Sequence, residues 1–225
     1  MVLKFIKNLT QKNVLYYPGC LTKILGLDKN YKKILEKLGI QFVTLTEIEF
    51  CCGSPALNSG YKEDFQKISE NNQEIFKKHR ISKIITSCPS CLKIFSQDYN
   101  LQTEHITKTI LQNIEKLDSK FNEKITYHDP CYLGRYSNIY QEPREILKHI
   151  GFEIIEMENT KQNSLCCGAG SGLQPNLPSI ADKIAQIRLN QVKTSKLITT
   201  CPLCYQHFKN NTSDIRILEL SEVLI

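Results

Sequence analysis

SKIITSCPSC (82–91) and SKLITTCPLC (195–204) are near-copies set 113 residues apart in a chain of 225. Each reads as a short β-branched run ending in Cys-Pro-x-Cys, a strand delivered into the first turn of a helix. Outward from these copies the rest of the chain falls into register. VLYYPGC (14–20) matches ITYHDPC (125–131), ILEKLGIQFVTL (34–45) matches ILKHIGFEIIEM (146–157), and FCCGSP (50–55) matches LCCGAG (165–170). HITKTIL (105–111) after the first copy resembles LELSEVLI (218–225) after the second. Two copies make an internally duplicated chain rather than a solenoid. The expected organisation is a first repeat over 14–98, a helical connector over 99–124 and a second repeat over 125–225.

Within each repeat the pattern alternates strand and helix. VLYY and KITYH are strands running into Pro-Gly-Cys and Asp-Pro-Cys turns. DKNYKKILEKLG places Tyr31, Ile34, Leu35 and Leu38 on one helical face, with Asp28 as N-cap and Gly39 as terminator. EPREILKHIG is its counterpart, with Glu142-Pro143-Arg144 a helix start and Gly151 the stop. Strands IQFVTL and FEIIEM come next, then the Cys-Cys-Gly loops and longer helices over about 61–78 and 179–193. The connector reads mostly as one helix through Ile106, Ile110, Ile114 and Leu117. The fold class is therefore α/β: two tandem, pseudo-symmetric, Rossmann-like βαβ repeats with parallel sheets and right-handed crossovers.

That topology locates the cysteines. All ten belong to the repeat: Cys20, Cys51, Cys52, Cys88 and Cys91 in the first copy, and Cys131, Cys166, Cys167, Cys201 and Cys204 in the second. Each is expected immediately after a strand, at the carboxyl edge of a parallel sheet, where ligands bind. The Cys-Pro-x-Cys thiols also meet a helix N-terminus, which favours thiolate. Gly53, Gly168, Gly170 and Gly172, following the Cys-Cys pairs, are expected to let backbone approach a ligand closely.

Bulk properties narrow the setting. The chain is 41% hydrophobic and 23% charged with a formal charge of +6, and its lysines are spread along helices. Without dense basic runs interleaved with aromatics, nucleic acid is not the expected partner. No apolar run reaches the ~18 residues of a membrane span, and MVLKFIKNLTQKN is too polar for a signal peptide, so a cytoplasmic protein is expected. In a reducing compartment ten cysteines argue for metal ligands or redox chemistry rather than disulfides. Ten thiolates would take the polypeptide from +6 to −4, so such a site calls for cations.

Three chemistries compete for these thiols. Structural zinc takes four ligands, and a ribbon sets its Cys-x-x-Cys knuckles ~15–20 residues apart, far closer than here. Dithiol exchange at Cys-Pro-x-Cys uses four cysteines and leaves six idle. A polynuclear iron–sulfur cluster accepts neighbouring thiols that one ion cannot, and uses all ten.

The spacing, with YHDPCYLGR, EPREIL, SLCCGAGSG and CPLC, resembles the CCG-domain family, typified by the B chain of heterodisulfide reductase and the corresponding domain of its D chain. Other relatives are iron–sulfur subunits of glycolate, lactate and glycerol-3-phosphate dehydrogenases. The resemblance covers nearly the whole chain. It implies that each quintet of cysteines holds a noncubane [4Fe–4S] cluster, two in all, and that such a cluster reduces a small-molecule disulfide. The sequence departs from the family at Ser171, where Gly is common, and at Tyr132, where His is common. His128 is a candidate proton donor to a departing thiolate, or else holds its loop by a hydrogen bond. Arg135 is a candidate anion binder, or else a surface ion pair. His207 reads as an ordinary core histidine. With no dinucleotide fingerprint and no compact ferredoxin-like cysteine run, electrons must come from a partner carrying cubane clusters or flavin. The alternative function is a non-catalytic relay in a flavin-dependent hydroxy-acid dehydrogenase complex.

Overall fold

The computed structural model describes residues 12–45 and 51–225. The N-terminal stretch read as too polar for a signal peptide lies largely outside them, as does Phe50. The first repeat holds β1 (Asn13–Tyr17), α1 (Cys20–Ile24), α2 (Asp28–Lys37), α3 (Ser54–Asn58), α4 (Lys62–Lys78), β2 (Ile81–Thr86) and α5 (Pro89–Gln97). Then come β3 (Thr103–His105) and α6 (Ile106–Leu111). The second repeat holds β4 (Glu123–His128), α7 (Cys131–Gly134), α8 (Gln141–His149), β5 (Phe152–Ile154), α9 (Leu173–Asn176), α10 (Pro178–Leu189), β6 (Lys196–Thr199), α11 (Pro202–Asn210) and β7 (Arg216–Glu219).

Two parallel sheets result, ordered β1-β2-β3 and β5-β4-β6-β7. They are one pattern. In the first sheet a parallel bridge between Leu15 and Val43 stands where β5 stands in the second, so IQFVTL contributes one bridge rather than a full strand among the described residues. Strand ends are buried (Leu15, Tyr16, Ile84 and Ile85; Ile125, Tyr127, Leu197 and Ile198), as expected of parallel strands covered on both faces. The α2 helix buries Tyr31, Ile34, Leu35 and Leu38. It ends at Gly39, φ +72°, where Gly39 N–H donates to Glu36 O and Ile40 N–H to Leu35 O, a Schellman closure. Asp28 is the first helical residue rather than the N-cap, and it accepts from Lys32 one turn on, at 2.9 Å.

The connector departs from the expected single helix. It supplies β3, the six-residue α6 and a 3₁₀ turn at Ile114–Lys116. β3 pairs with β2 through Ile84–Thr103, Ile85–Glu104 and Thr86–His105. Its counterpart is β7, in which Glu219 faces Thr199. HITKTIL and LELSEVLI therefore each turn from the last strand of a sheet into a helical segment.

The repeats exchange these segments. α6 packs on α8 of the second repeat, and the 3₁₀ turn Leu220–Val223 packs on α2 of the first. One apolar core runs through both, with Tyr16, Leu35 and Ile85 joining Tyr127, Leu147 and Ile198. Among the described residues no helix is long and apolar enough to cross a membrane.

Candidate functional site

Each Cys-Pro-x-Cys opens a helix as the sequence requires. Cys88 is the N-cap of α5 with φ −107°, ψ 117°, Cys201 that of α11 with φ −134°, ψ 121°, and a proline follows each. Extended backbone at the cap and a fixed proline φ turn the strand end into the helix. Cys20 and Cys131 open the short helices α1 and α7 after the first strand of each repeat, β1 and β4. Cys166-Cys167 does not follow its strand directly. The chain from β5 passes a 3₁₀ turn at Lys161–Asn163 before reaching it.

These elements bring the sulfurs of each repeat together. In the first, Cys91 Sγ lies 3.4 Å from Cys52 Sγ. Cys51 and Cys91 both donate to Cys52 and hold its thiol well below the ordinary value, while Cys88 bonds Cys91 and Cys20 lies within electrostatic reach of Cys88 and Cys52. In the second, Cys131 and Cys167 donate to Cys166, whose thiol is held low, and Cys204 bridges Cys167 and Cys201. The Cys204 hydrogen bond likewise holds Cys201 low, while sulfur neighbours and burial push Cys91, Cys131 and Cys204 up. Backbone matches as well: Gly53 N–H donates to Cys51 Sγ and Gly168 N–H to Cys166 Sγ, each at 3.4 Å. All ten thiols are free. Among the described residues no three or more His, Cys, Asp or Glu side chains surround one point as a ready-made single-ion site; the sulfurs rest on one another instead.

The two quintets are neighbours. The α5 helix of the first repeat packs on α7 of the second, and α11 of the second on α1 of the first. Lys93 of α5 holds its ammonium 5.8 Å from the Tyr132 ring and 4.9 Å from the Tyr136 ring, and Tyr132 also bonds Asn58 and Ser171. Ser171 has φ +54°, a left-handed conformation that glycine adopts more easily. A cavity of about 290 Å³ beside the first quintet is lined by Tyr17, Gly19, Cys20, Thr44 and Cys51 among others.

The glycines after Cys-Cys serve packing. Gly53 and Gly168 have φ +87° and +93°, and a Cβ there would lie 2.6 Å from the Phe65 ring or 2.5 Å from Ala181 O. Both distances are against the following long helix rather than a ligand. A Cβ on Gly170 would meet nothing within 4 Å. The close approach is at Gly19, φ +84°, where a Cβ would lie 2.8 Å from Cys88 Cβ and 3.4 Å from Cys91 Sγ. In the sequence its only signal is its place before Cys20.

His128 ends β4 fully buried, and Arg188 Nε donates to its Nδ1 at 3.1 Å. Burial, reinforced by the Arg188 charge, keeps its pKa well below the usual histidine value, which favours the neutral ring. The Arg188 hydrogen bond ties the end of β4 to α10. Arg135, exposed, donates from Nη1 to Ser164 O at 2.7 Å and so tethers the approach to Cys166. His207 is buried against Ala181 O.

Two arginines escaped the sequence reading. Arg144 forms a two-pronged pair with Asp129 at 2.6 and 2.8 Å and a second with Glu156 at 2.6 and 2.9 Å. Asp129 also accepts from Lys161 N–H. Arg188 bonds His128, Ser164 Oγ, Asn159 O and Gln191. Both arginines pin the segment leading to Cys166-Cys167.

A cysteine-rich-domain model, named CCG, matches residues 14–96 and again 125–209. The chain belongs to the CCG cysteine-rich-domain family. Its two CCG copies coincide with the two sulfur quintets. The chain is 28% identical to the D chain of the dihydromethanophenazine:CoB–CoM heterodisulfide reductase of Methanosarcina acetivorans, over 98% of this chain and 59% of that one. It is 32% identical to the EtfAB:quinone oxidoreductase of Syntrophomonas wolfei, over 84% of this chain and 30% of that one. It thus spans less than two thirds of either relative. A glutamate racemase of Bacillus anthracis overlays at TM-score 0.39 and 11% identity over 96% of this chain and 79% of that one, too slight a likeness to weigh.

The donor set fits an iron–sulfur group. Five thiols in mutual reach exceed the four positions of a tetrahedral zinc, and thiolates are the ligands iron–sulfur clusters take. Adjacent cysteines at one locus suit several metal atoms rather than one.

Proposed function

We propose that this CCG chain is the iron–sulfur component of an oxidoreductase that reduces a small-molecule disulfide. Cys20, Cys51, Cys52, Cys88 and Cys91 would hold one noncubane [4Fe–4S] cluster and Cys131, Cys166, Cys167, Cys201 and Cys204 the other. The observation that carries the reading is the gathering of five cysteines in each repeat into one interacting cluster, on helices that pack against the other repeat. When bound, such a group supplies one-electron storage and iron positions at which sulfur can be held. The chain itself fixes the ligands: cap backbone aims Cys88 and Cys201, the N–H groups of Gly53 and Gly168 steady Cys51 and Cys166, and the two arginines anchor the second Cys-Cys loop. Arg135, exposed beside the approach to Cys166, would attract an anionic substrate, while the low proton affinity of buried His128 favours water as the source of the product proton.

Electrons would arrive singly from a partner with cubane clusters or flavin, in the reducing cytoplasm that keeps ten thiols free. The likeness to the D chain of a heterodisulfide reductase supports the disulfide substrate. The likeness to an EtfAB:quinone oxidoreductase supports a second reading, a relay that passes electrons from a flavoprotein without binding a disulfide. Cluster-loaded protein with a one-electron donor should cleave a mixed disulfide of two low-molecular-weight thiols. Rapid oxidation by quinone-linked acceptors with no disulfide turnover would select the relay.

A further inference from the structure

Between the two repeats lies a buried polar cluster that sulfur ligation leaves unused. At its centre is Glu219, the last residue of β7 and 1% exposed. Its Oε1 accepts from Tyr31 Oη of α2, across the repeat boundary, at 2.5 Å, and its Oε2 accepts from Ser221 N–H at 2.8 Å and from Ser221 Oγ at 2.5 Å. All these donors are neutral. Among the described residues, the ionisable groups that share an interaction with it are Tyr31 on α2, Tyr16 on β1, Glu222 on its own turn and Cys201 after β6, none of them a cation. Asp28 and Tyr127 act on its tyrosine neighbours, and the nearby Lys32 is paired with Asp28. A carboxylate stripped of water with no counter-ion holds its proton more tightly, and burial raises its pKa to about 7.

Its position adds the second consideration. Glu219 sits opposite Thr199 in the ladder, two residues before Cys201, and its charge is felt at the Cys201 thiol. Tyr127 and Tyr16, from the same interface, bond Thr200 and Ser87, the residues just before Cys201 and Cys88. In the first sheet the matching position is His105, also buried and also an N-cap, accepting from Thr107 N–H. Burial lowers its pKa to about 3, so it stays neutral. The repeats therefore present a proton-binding carboxyl beside one quintet and a fixed neutral ring beside the other.

We infer that Glu219 is the site that takes up a proton when an electron enters at the second sulfur quintet. The inference rests on the iron–sulfur reading above. The electron, from a low-potential donor, would be held at the iron–sulfur group of the second quintet, while one proton taken from water, which leaves as hydroxide, converts the Glu219 carboxylate to the acid. Reoxidation by an electron acceptor returns the proton to water. Added negative charge within ~10 Å of a buried acid shifts its proton equilibrium by roughly tenfold or more, so the two events are linked.

The test is a spectroelectrochemical titration of iron-reconstituted, full-length protein from pH 5.5 to 8.5, with iron and sulfide measured on the same sample. One of two midpoints should fall tenfold in reduction equilibrium per pH unit near neutrality, about 59 mV for one electron, and the other should stay flat. Glu219→Gln should flatten the sloping one at unchanged iron content, while Glu219→Asp should keep a slope with a displaced midpoint pH. In the wild type, a reduced-minus-oxidised infrared spectrum should gain a protonated-carboxyl band, and this holds whether or not Glu219→Gln folds. Loaded protein with two flat midpoints, a slope that survives Glu219→Gln, or no carboxyl band would overturn the inference alone. Protein that takes up no iron would overturn the iron–sulfur reading and this inference with it.

Discussion

At Gly19 a single missing Cβ decides whether three cysteines can share a site. Any side chain there meets Cys88 and Cys91 and must also adopt φ +84° with ψ 149°, a conformation that alone costs ~1–3 kcal/mol. Gly19→Ala should leave the second site intact and empty the first, halving iron per chain at little change in secondary structure; full iron would count against it. Glu219 makes a residue-scale prediction with an unusual sign. Its pKa rises from 4.5 to about 7 on folding, so the native state binds the extra proton between those values. Its contribution is complete below pH ~4.5 and declines as pH rises toward ~7, by on the order of 3 kcal/mol. Urea titrations at pH 5 and pH 8 should differ by that much more in wild type than in Glu219→Gln; parallel behaviour would refute the shift. The ten cysteines were legible because their spacing repeats. Arg144 and Arg188 were not, because Asp129, Glu156, Ser164 and His128 lie 12 to 60 residues from them in sequence.

Among the elements, those with a strong local signal formed as read: both Cys-Pro-x-Cys helices, the amphipathic α2 and α8, and the strands that feed them. The connector misled, because Ile106, Ile110 and Leu117 share a helical period, yet the first two are buried on the short α6 and Leu117 caps the 3₁₀ turn, while β3 before them closes a sheet. Sheet closure is a tertiary demand that a periodicity cannot express. The segment from β5 to Cys166 is likewise held by a network rather than by propensity. Removing one member of the buried Arg144–Asp129 pair leaves the other uncompensated and costs about 3–5 kcal/mol. Arg144→Met should lower the unfolding free energy by that amount and selectively weaken iron retention at the second site. A change below ~1 kcal/mol in urea titrations would mean that the pair does not anchor the loop.

Taken whole, the molecule is one duplicated unit whose halves complete each other. The duplication was plain in sequence, but the exchange of α6 and the Leu220–Val223 turn between repeats was not, since no motif encodes which copy a terminal segment packs against. Tyr16, Leu35 and Ile85 share a core with Tyr127, Leu147 and Ile198, so either half alone would expose an apolar face. Residues 14–98 expressed without 125–225 should aggregate or show a broad, non-cooperative melt, while the two co-expressed should associate; two separately stable, monomeric halves would contradict the shared core.

The most direct check on the central claim is the iron and acid-labile sulfide content of anaerobically reconstituted full-length protein. Two quintets each holding a four-iron group predict about eight irons and a comparable amount of sulfide per chain. Replacing Cys88 and Cys91 with serine should take away about half. Zinc alone, or iron that survives loss of both cysteines undiminished, would contradict it.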